Sequence, residues 1–302
     1  MSLSGFMFRV MAGRSDKRRD SSLTAPEDVT AICDINYANN KDIYNTLDIY
    51  FPKDVTDTLP VIVSYHGGGY VYGTKEIYKY YGMFLAQQGF VFVNFNYHLA
   101  PKAKFPTQLT EANLVFQWIV ANGSKYHMDL NNVFLVGDSA GAQMASQYAA
   151  IVTNPDYASL FPFQIPSGFT LRAIALNCGM YETNVSEVEK SNRFTKDLFH
   201  DYFGKNPTES YGKDFLKMID VLGHITSDFP PTYVMTSEYD FLKENALPLH
   251  DFLKSKNIPC EYKCYGDPSK EYMGHVCHVN MNLEEAKEIN LDECNFFRNY
   301  IM

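Results

Sequence analysis

Ser139 stands in Gly137-Asp138-Ser139-Ala140-Gly141, directly after the apolar run Val133–Val136 and directly before a small-residue stretch that begins near Ala140. A serine with glycine two residues away on either side suits a sharp strand-to-helix turn, where the backbone is strained and the following helix passes close. Such a turn presents the hydroxyl as a nucleophile. Glycine and serine are common enough for this spelling to arise by chance, so the signal lies in the strand–turn–helix setting.

A second cluster, His66-Gly67-Gly68-Gly69-Tyr70, follows the apolar run Val61–Tyr65. Consecutive glycines let backbone N–H groups turn towards a ligand with no Cβ in the way, which is what stabilising a developing oxyanion requires. The expected donors are the N–H groups of Gly67 and Gly68, joined by that of Ala140. The run lacks the Gly-Lys-Ser/Thr ending of a phosphate loop and the spaced glycines of a dinucleotide fingerprint. His66, ahead of the turn, is expected to brace the loop rather than to act as a base.

A serine hydroxyl is a weak nucleophile at neutral pH and needs a base, and the base needs a group to orient it. In α/β-hydrolases, which place a serine on such a turn, the chain order is Ser, then Asp or Glu, then His, so on that pattern the partners should follow Ser139. Asp240 comes just after the run Thr232–Thr236, at the carboxyl end of an expected strand, where ligands meet open α/β sheets. Glu238 lies closer to that strand and Asp228 precedes it, which favours Asp240. For the base, His275 lies in a loop after the run Glu261–Tyr265, and His278, three residues on, competes with it. The others fit less well: His200, His224 and His250 fall in a long insertion or on helices, and His98 and His127 precede Ser139.

These residues need a scaffold, and its elements are legible. Near-continuous apolar runs at Tyr44–Tyr50, Val61–Tyr65, Phe90–Tyr97, Val133–Val136, Leu171–Leu176, Thr232–Thr236 and Glu261–Tyr265 read as strands buried on both faces. Helical patterns at Ile77–Gln88, Thr107–Asn122, Ala140–Val152, Ala246–Lys256 and Leu283–Tyr300 lie between them. Strand and helix alternate, which predicts a single α/β domain with a mostly parallel central sheet flanked by helices. Residues before about 29 show no strong period, and Tyr181–Ile225 is far longer than an ordinary connection, so residues of about 1–30 and an insertion at about 181–225 are expected to form a helical cap. Within the insertion, Phe194, Phe199, Tyr202 and Phe203 are candidates to line an apolar entrance.

The landmarks in order, His66–Tyr70, Tyr97-His98-Leu99-Ala100-Pro101 with Phe105-Pro106, Gly137–Gly141, Pro230-Pro231 leading to Asp240, and His275, resemble those of the bacterial hormone-sensitive-lipase-like esterases of the α/β-hydrolase superfamily. They span most of the chain. The resemblance implies a Ser139, Asp240, His275 triad, an oxyanion hole at Gly67, Gly68 and Ala140, and hydrolysis of small carboxylic esters with short acyl chains through an acyl-enzyme. It implies neither cofactor nor metal. The chain departs from the family pattern at His98, where many members have arginine, at Phe241, where proline often follows the aspartate, and at Val276-Cys277, where Gly-Phe usually follows the histidine. The last departure keeps His278 open as the base. An amidase, a peptidase, a long-chain lipase or a non-catalytic binding protein could be built on the same scaffold.

Composition excludes other classes. The 302 residues are 46% hydrophobic, 20% charged and 15% aromatic, which suits a packed globular core. A formal net charge of -9 argues against a nucleic-acid or anionic-membrane partner, and the basic run Arg14–Arg19 reads as a solvated terminal segment. No run approaches the ~20 apolar residues of a membrane span, and Phe6–Met11 lacks the order of charges of a secretion signal, so a cytoplasmic location is expected. Six scattered cysteines without a C-x-x-C pair read as free thiols, and Cys260, Cys264, His275 and His278 match no standard zinc spacing. Composition allows a homo-oligomer.

Overall fold

The computed structural model describes residues 1–182, 191–205 and 214–302. Eight strands form one sheet in the order β1-β2-β4-β3-β5-β6-β7-β8. They are β1 (Val29–Asn36), β2 (Thr46–Pro52), β3 (Leu59–Tyr65), β4 (Val91–Phe95), β5 (Met128–Asp138), β6 (Leu171–Asn177), β7 (Thr232–Ser237) and β8 (Cys260–Tyr265). Strand β2 pairs antiparallel with both β1 and β4, and the other neighbouring strands pair parallel.

Side chains on a strand alternate between faces, and both faces are filled. Val61, Val63, Val133 and Leu135 belong to one apolar core, while Ile62, Phe134 and Val136 belong to the other. Helices α3 (Thr107–Asn122) and α4 (Ala140–Thr153) contribute to the first core, and α2 (Lys79–Gln87) and the C-terminal helix Glu284–Arg298 to the second. The register Tyr65↔Gly137 sets the end of β3 beside the end of β5, so the glycine loop and the Ser139 turn emerge together. The α/β-hydrolase arrangement expected from the sequence is present.

Two elements depart from the sequence reading. Val29–Asn36 forms an antiparallel edge strand, and the stretch without a strong period is a helix, α1 (Leu3–Asp20). Apart from Phe8, its inward side is small or polar. Gly5 is buried, Arg9 Nε donates to the Val71 carbonyl at 2.9 Å, and Asp16 accepts from the Tyr72 hydroxyl at 2.8 Å. Apolar Phe6, Met7 and Met11 and basic Arg14, Lys17 and Arg18 share the exposed side, so the two characters cancel in any period analysis. The basic run therefore ends a helix, and Arg19 is half-buried, bonded to Asp20 and to the Ile77 carbonyl.

Helix α1 lies against the helix Arg193–Phe203, with Ser2 and Ser4 donating to Asp201 and Asp197 and Phe8 edge-on to Phe194. The expected insertion at about 181–225 lies partly outside the described residues. Of its aromatic candidates, Phe194 and Phe199 line a cavity, whereas Tyr202 and Phe203 pack into the core.

Candidate active site

Strand β5 ends at Asp138 and α4 begins at Ala140, leaving Ser139 as the single residue of the turn. Its φ of 54° and ψ of -121° lie where side-chain-bearing residues rarely sit, at a strain of about 1–3 kcal/mol. The flanking glycines make the turn feasible. A Cβ on Gly137 would stand 2.4 Å from the Gly141 carbonyl oxygen, and one on Gly141 would stand 2.2 Å from that of Tyr65. The Ser139 N–H donates to the Asn177 carbonyl at 2.9 Å, tying the turn to β6.

His275 Nε2 lies 2.9 Å from Ser139 Oγ, and His275 Nδ1 lies 2.6 Å from Asp240 Oδ1. The buried Asp240 carboxylate also accepts from Thr236 Oγ1 at 2.8 Å and from the Leu242 N–H at 2.9 Å. Burial opposes its ionisation, but the hydrogen bond and charge of His275 and the other two donors outweigh that and hold its pKa below the ordinary value. An ionised Asp240 can only accept, which puts a proton on His275 Nδ1 and leaves Nε2 to accept from the serine hydroxyl.

The rivals lie elsewhere. His278 is buried edge-on against Tyr81, and burial lowers its pKa to about 3. Glu238 pairs with Lys243 at 2.8 Å, and Asp228 is exposed before β7. Cys260 and Cys264 lie on β8.

One expected oxyanion donor needs correction. The Gly67 N–H already donates to the Tyr78 hydroxyl at 2.9 Å, and that hydroxyl donates to Asp138 Oδ2 at 2.8 Å, so Gly67 has no N–H to offer. Gly69 lines the cavity beside Ser139 and Ala140, at a φ of 57° that glycine accommodates freely. The Ala140 N–H is among the unpaired donors of a helix start. The glycine run held three candidates and no spacing rule to choose among them. His66 is a brace: it is buried, its Nδ1 donates to the Gly67 carbonyl at 2.8 Å, its ring stacks on Tyr97, and burial lowers its pKa to about 4.

Cys178, at the end of β6, was missed. Its sulfur lies within 4.8 Å of ligand atoms of Asp240 and His275. Burial and the adjacent Asp240 raise its thiol pKa well above the ordinary value, so it is no nucleophile. The departures from the family pattern have visible substitutes. His98 bridges Glu111 and Asp42 at 2.6 and 3.1 Å, and Phe241 lies over the His275 ring at a centroid distance of 4.2 Å. Val276 adopts φ 54°, ψ 34°, a left-handed conformation rare for a β-branched residue.

The serine opens into a cavity of about 160 Å³ walled by Phe8 of α1, by Phe194, Leu198 and Phe199 of the helix Arg193–Phe203, and by Met180 and Phe241.

The family described as BD-FAE matches residues 47–246, about two thirds of the chain. The chain belongs to the BD-FAE family. The match holds Ser139 and Asp240 and stops short of His275. An alpha/beta hydrolase of Acanthamoeba polyphaga mimivirus is 28% identical over 222 residues, 73% of this chain and 62% of its own length. An acetyl esterase of Salmonella schwarzengrund is 25% identical over 262 residues, 83% of this chain and 75% of its own. Esterase B of Lactobacillus rhamnosis superposes with a TM-score of 0.86 at 24% identity, covering 96% of this chain and 92% of its own. With this family match the chain is a hormone-sensitive-lipase-like member of the α/β-hydrolase superfamily, among esterases. Among the described residues, no helix is long and apolar enough to cross a membrane.

Proposed function

We propose that the chain is a serine carboxylesterase that hydrolyses small esters of short acyl chains through an acyl-enzyme on Ser139. The observation that carries this reading is the hydrogen-bonded series Ser139 Oγ, His275 Nε2, His275 Nδ1, Asp240 Oδ1, at 2.9 and 2.6 Å, with the serine at the head of α4. His275 takes the hydroxyl proton as Ser139 Oγ bonds to the ester carbonyl carbon. The negative charge passes to the carbonyl oxygen, which the N–H groups of Gly68, Gly69 and Ala140 hold. Collapse of the tetrahedral species breaks the ester C–O bond, and His275 returns the proton to the leaving alcohol. A water then repeats the sequence, releasing the acid and restoring the Ser139 hydroxyl. Asp240 keeps the imidazole in the productive tautomer and stabilises its charged form without taking the proton.

Cavity size supports the short acyl chain. A pocket of about 150 Å³ accommodates benzene, so about 160 Å³ has room for roughly four to six acyl carbons. Its walls are aromatic and aliphatic, which suits a neutral chain better than a charged one. Helix α1 and the helix Arg193–Phe203 act as the cap that closes it.

The reading is tested by treating the protein with a short-chain p-nitrophenyl phosphonate. One equivalent of p-nitrophenol should be released, with the phosphonyl group found on Ser139 by mass spectrometry. No adduct, or an adduct on another residue, refutes the assignment.

A further inference from the structure

Helix α1 carries an apolar surface that the fold leaves open. Leu3, Phe6, Met7 and Met11 are 68%, 53%, 52% and 67% exposed. At 3.6 residues per turn these residues share one side of the helix, together with half-buried Val10, opposite the side that holds Gly5, Arg9 and Asp16. The same side continues into Arg14, Lys17 and Arg18, all exposed. Phe194, 38% exposed and edge-on to Phe8, carries the apolar surface onto the neighbouring helix.

We infer that this face of α1 docks onto an anionic lipid surface, with Leu3, Phe6, Met7 and Met11 entering the acyl boundary and Arg14, Lys17 and Arg18 meeting the headgroups. An interfacial helix has this composition: bulky apolar residues on one side, with cations placed to reach anionic headgroups. The net charge of -9 does not oppose it, because charges more than about 8–10 Å apart in solvent are screened at physiological salt, and the three cations sit together. A second copy fits the face less well. An antiparallel two-fold pairing centred near Met7 would cover the apolar residues but offer no anion to Arg14, Lys17 and Arg18, and a parallel pairing would set cation against cation. Phe8, on the other side of the same helix, walls the cavity, so docking would bring that cavity close to the lipid.

The proposal concerns binding and does not depend on esterase activity. The test is co-sedimentation of the full chain with phosphatidylcholine vesicles, with and without phosphatidylglycerol. We expect binding to the vesicles containing phosphatidylglycerol only. Replacing Arg14, Lys17 and Arg18 together by Gln should weaken it about 100-fold, and Phe6→Ser with Met7→Ser by more than about tenfold. Both variants should keep the wild-type circular dichroism spectrum. Absence of binding to phosphatidylglycerol vesicles, or binding that neither variant weakens, overturns the proposal. So does a dimer in sedimentation velocity that Phe6→Ser disrupts, because a second copy would then cover the face.

Discussion

The Tyr78 hydroxyl donates to the Asp138 carboxylate at 2.8 Å, joining the residue before Ser139 to the start of the glycine loop, whose Gly67 N–H it also accepts. The Ser139 turn and the glycine loop are thereby braced by one buried hydroxyl. Removing that hydroxyl takes one hydrogen-bond partner from the Gly67 N–H and one from Asp138, at about 1–3 kcal/mol of stability. Tyr78→Phe should therefore lower kcat about tenfold on a soluble ester with little change in KM, since a displaced loop weakens oxyanion binding more than substrate binding. An unchanged kcat would show that the loop holds its place without Tyr78.

The choice between the two histidines is directly measurable. His275→Ala should abolish turnover, whereas His278→Gln should leave kcat within about threefold while lowering the melting temperature. His278 is buried, and its low pKa of about 3 keeps it neutral at physiological pH. The opposite pattern would make His278 the base.

Legibility differed among residues for physical reasons. Ser139 and Asp240 each stand just after a strand, which made them readable, whereas the sequence left His278 open beside His275; the structure brings Ser139, His275 and Asp240 into hydrogen-bond reach. Which glycine N–H groups remain free was not legible. Gly67 is occupied by Tyr78, eleven residues away, a contact that spacing alone does not reveal. Cys178 escaped because its place beside Asp240 depends on the adjacency of β6 and β7. Helix α1 escaped because its buried side, Phe8 apart, is Gly5, Arg9 and Asp16, and hydrophobic periodicity assumes that the apolar side faces inward. The edge strand β1 reads half-buried with no clean alternation, which gives no period to detect.

Val276 occupies a left-handed conformation, φ 54°, ψ 34°. A β-branched residue there carries strain of about 1–2 kcal/mol, partly offset by the lower unfolded-state entropy of valine. Val276→Gly should raise the urea midpoint slightly or leave it unchanged, and retain activity. A clear loss of stability would mean that the valine side chain contributes more packing than the strain it brings.

Stability should depend on pH through Glu293. Its carboxyl is buried and accepts from Tyr81 Oη at 2.6 Å and Asn177 Nδ2 at 2.7 Å. Burial raises its pKa from 4.5 to about 7 despite those bonds. A carboxyl whose folded pKa is raised contributes stability that is fully present below about pH 4.5 and is lost as pH rises towards 7. Glu293→Gln removes the titration, and the amide of Asn177 can turn to match it. The variant should be similar to wild type at pH 4.5 and gain up to about 3 kcal/mol relative to it at pH 8, measured by urea denaturation. A constant difference across that range would place the Glu293 titration elsewhere.

Cavity walls should set acyl length. Leu198 and Phe199 close the pocket, so Leu198→Ala should move the preferred ester to longer chains by about two carbons, with a modest loss on butyrate. An unchanged profile across a p-nitrophenyl ester series would put the acyl group elsewhere.

The measurement that bears most directly on the proposed activity is kcat/KM for p-nitrophenyl butyrate, wild type beside Ser139→Ala. Turnover by the wild type and a fall of at least about 10⁴-fold in a folded Ser139→Ala variant is the expected result. Comparable rates in the two proteins, or no turnover of any ester by the wild type, would contradict a serine esterase acting through Ser139.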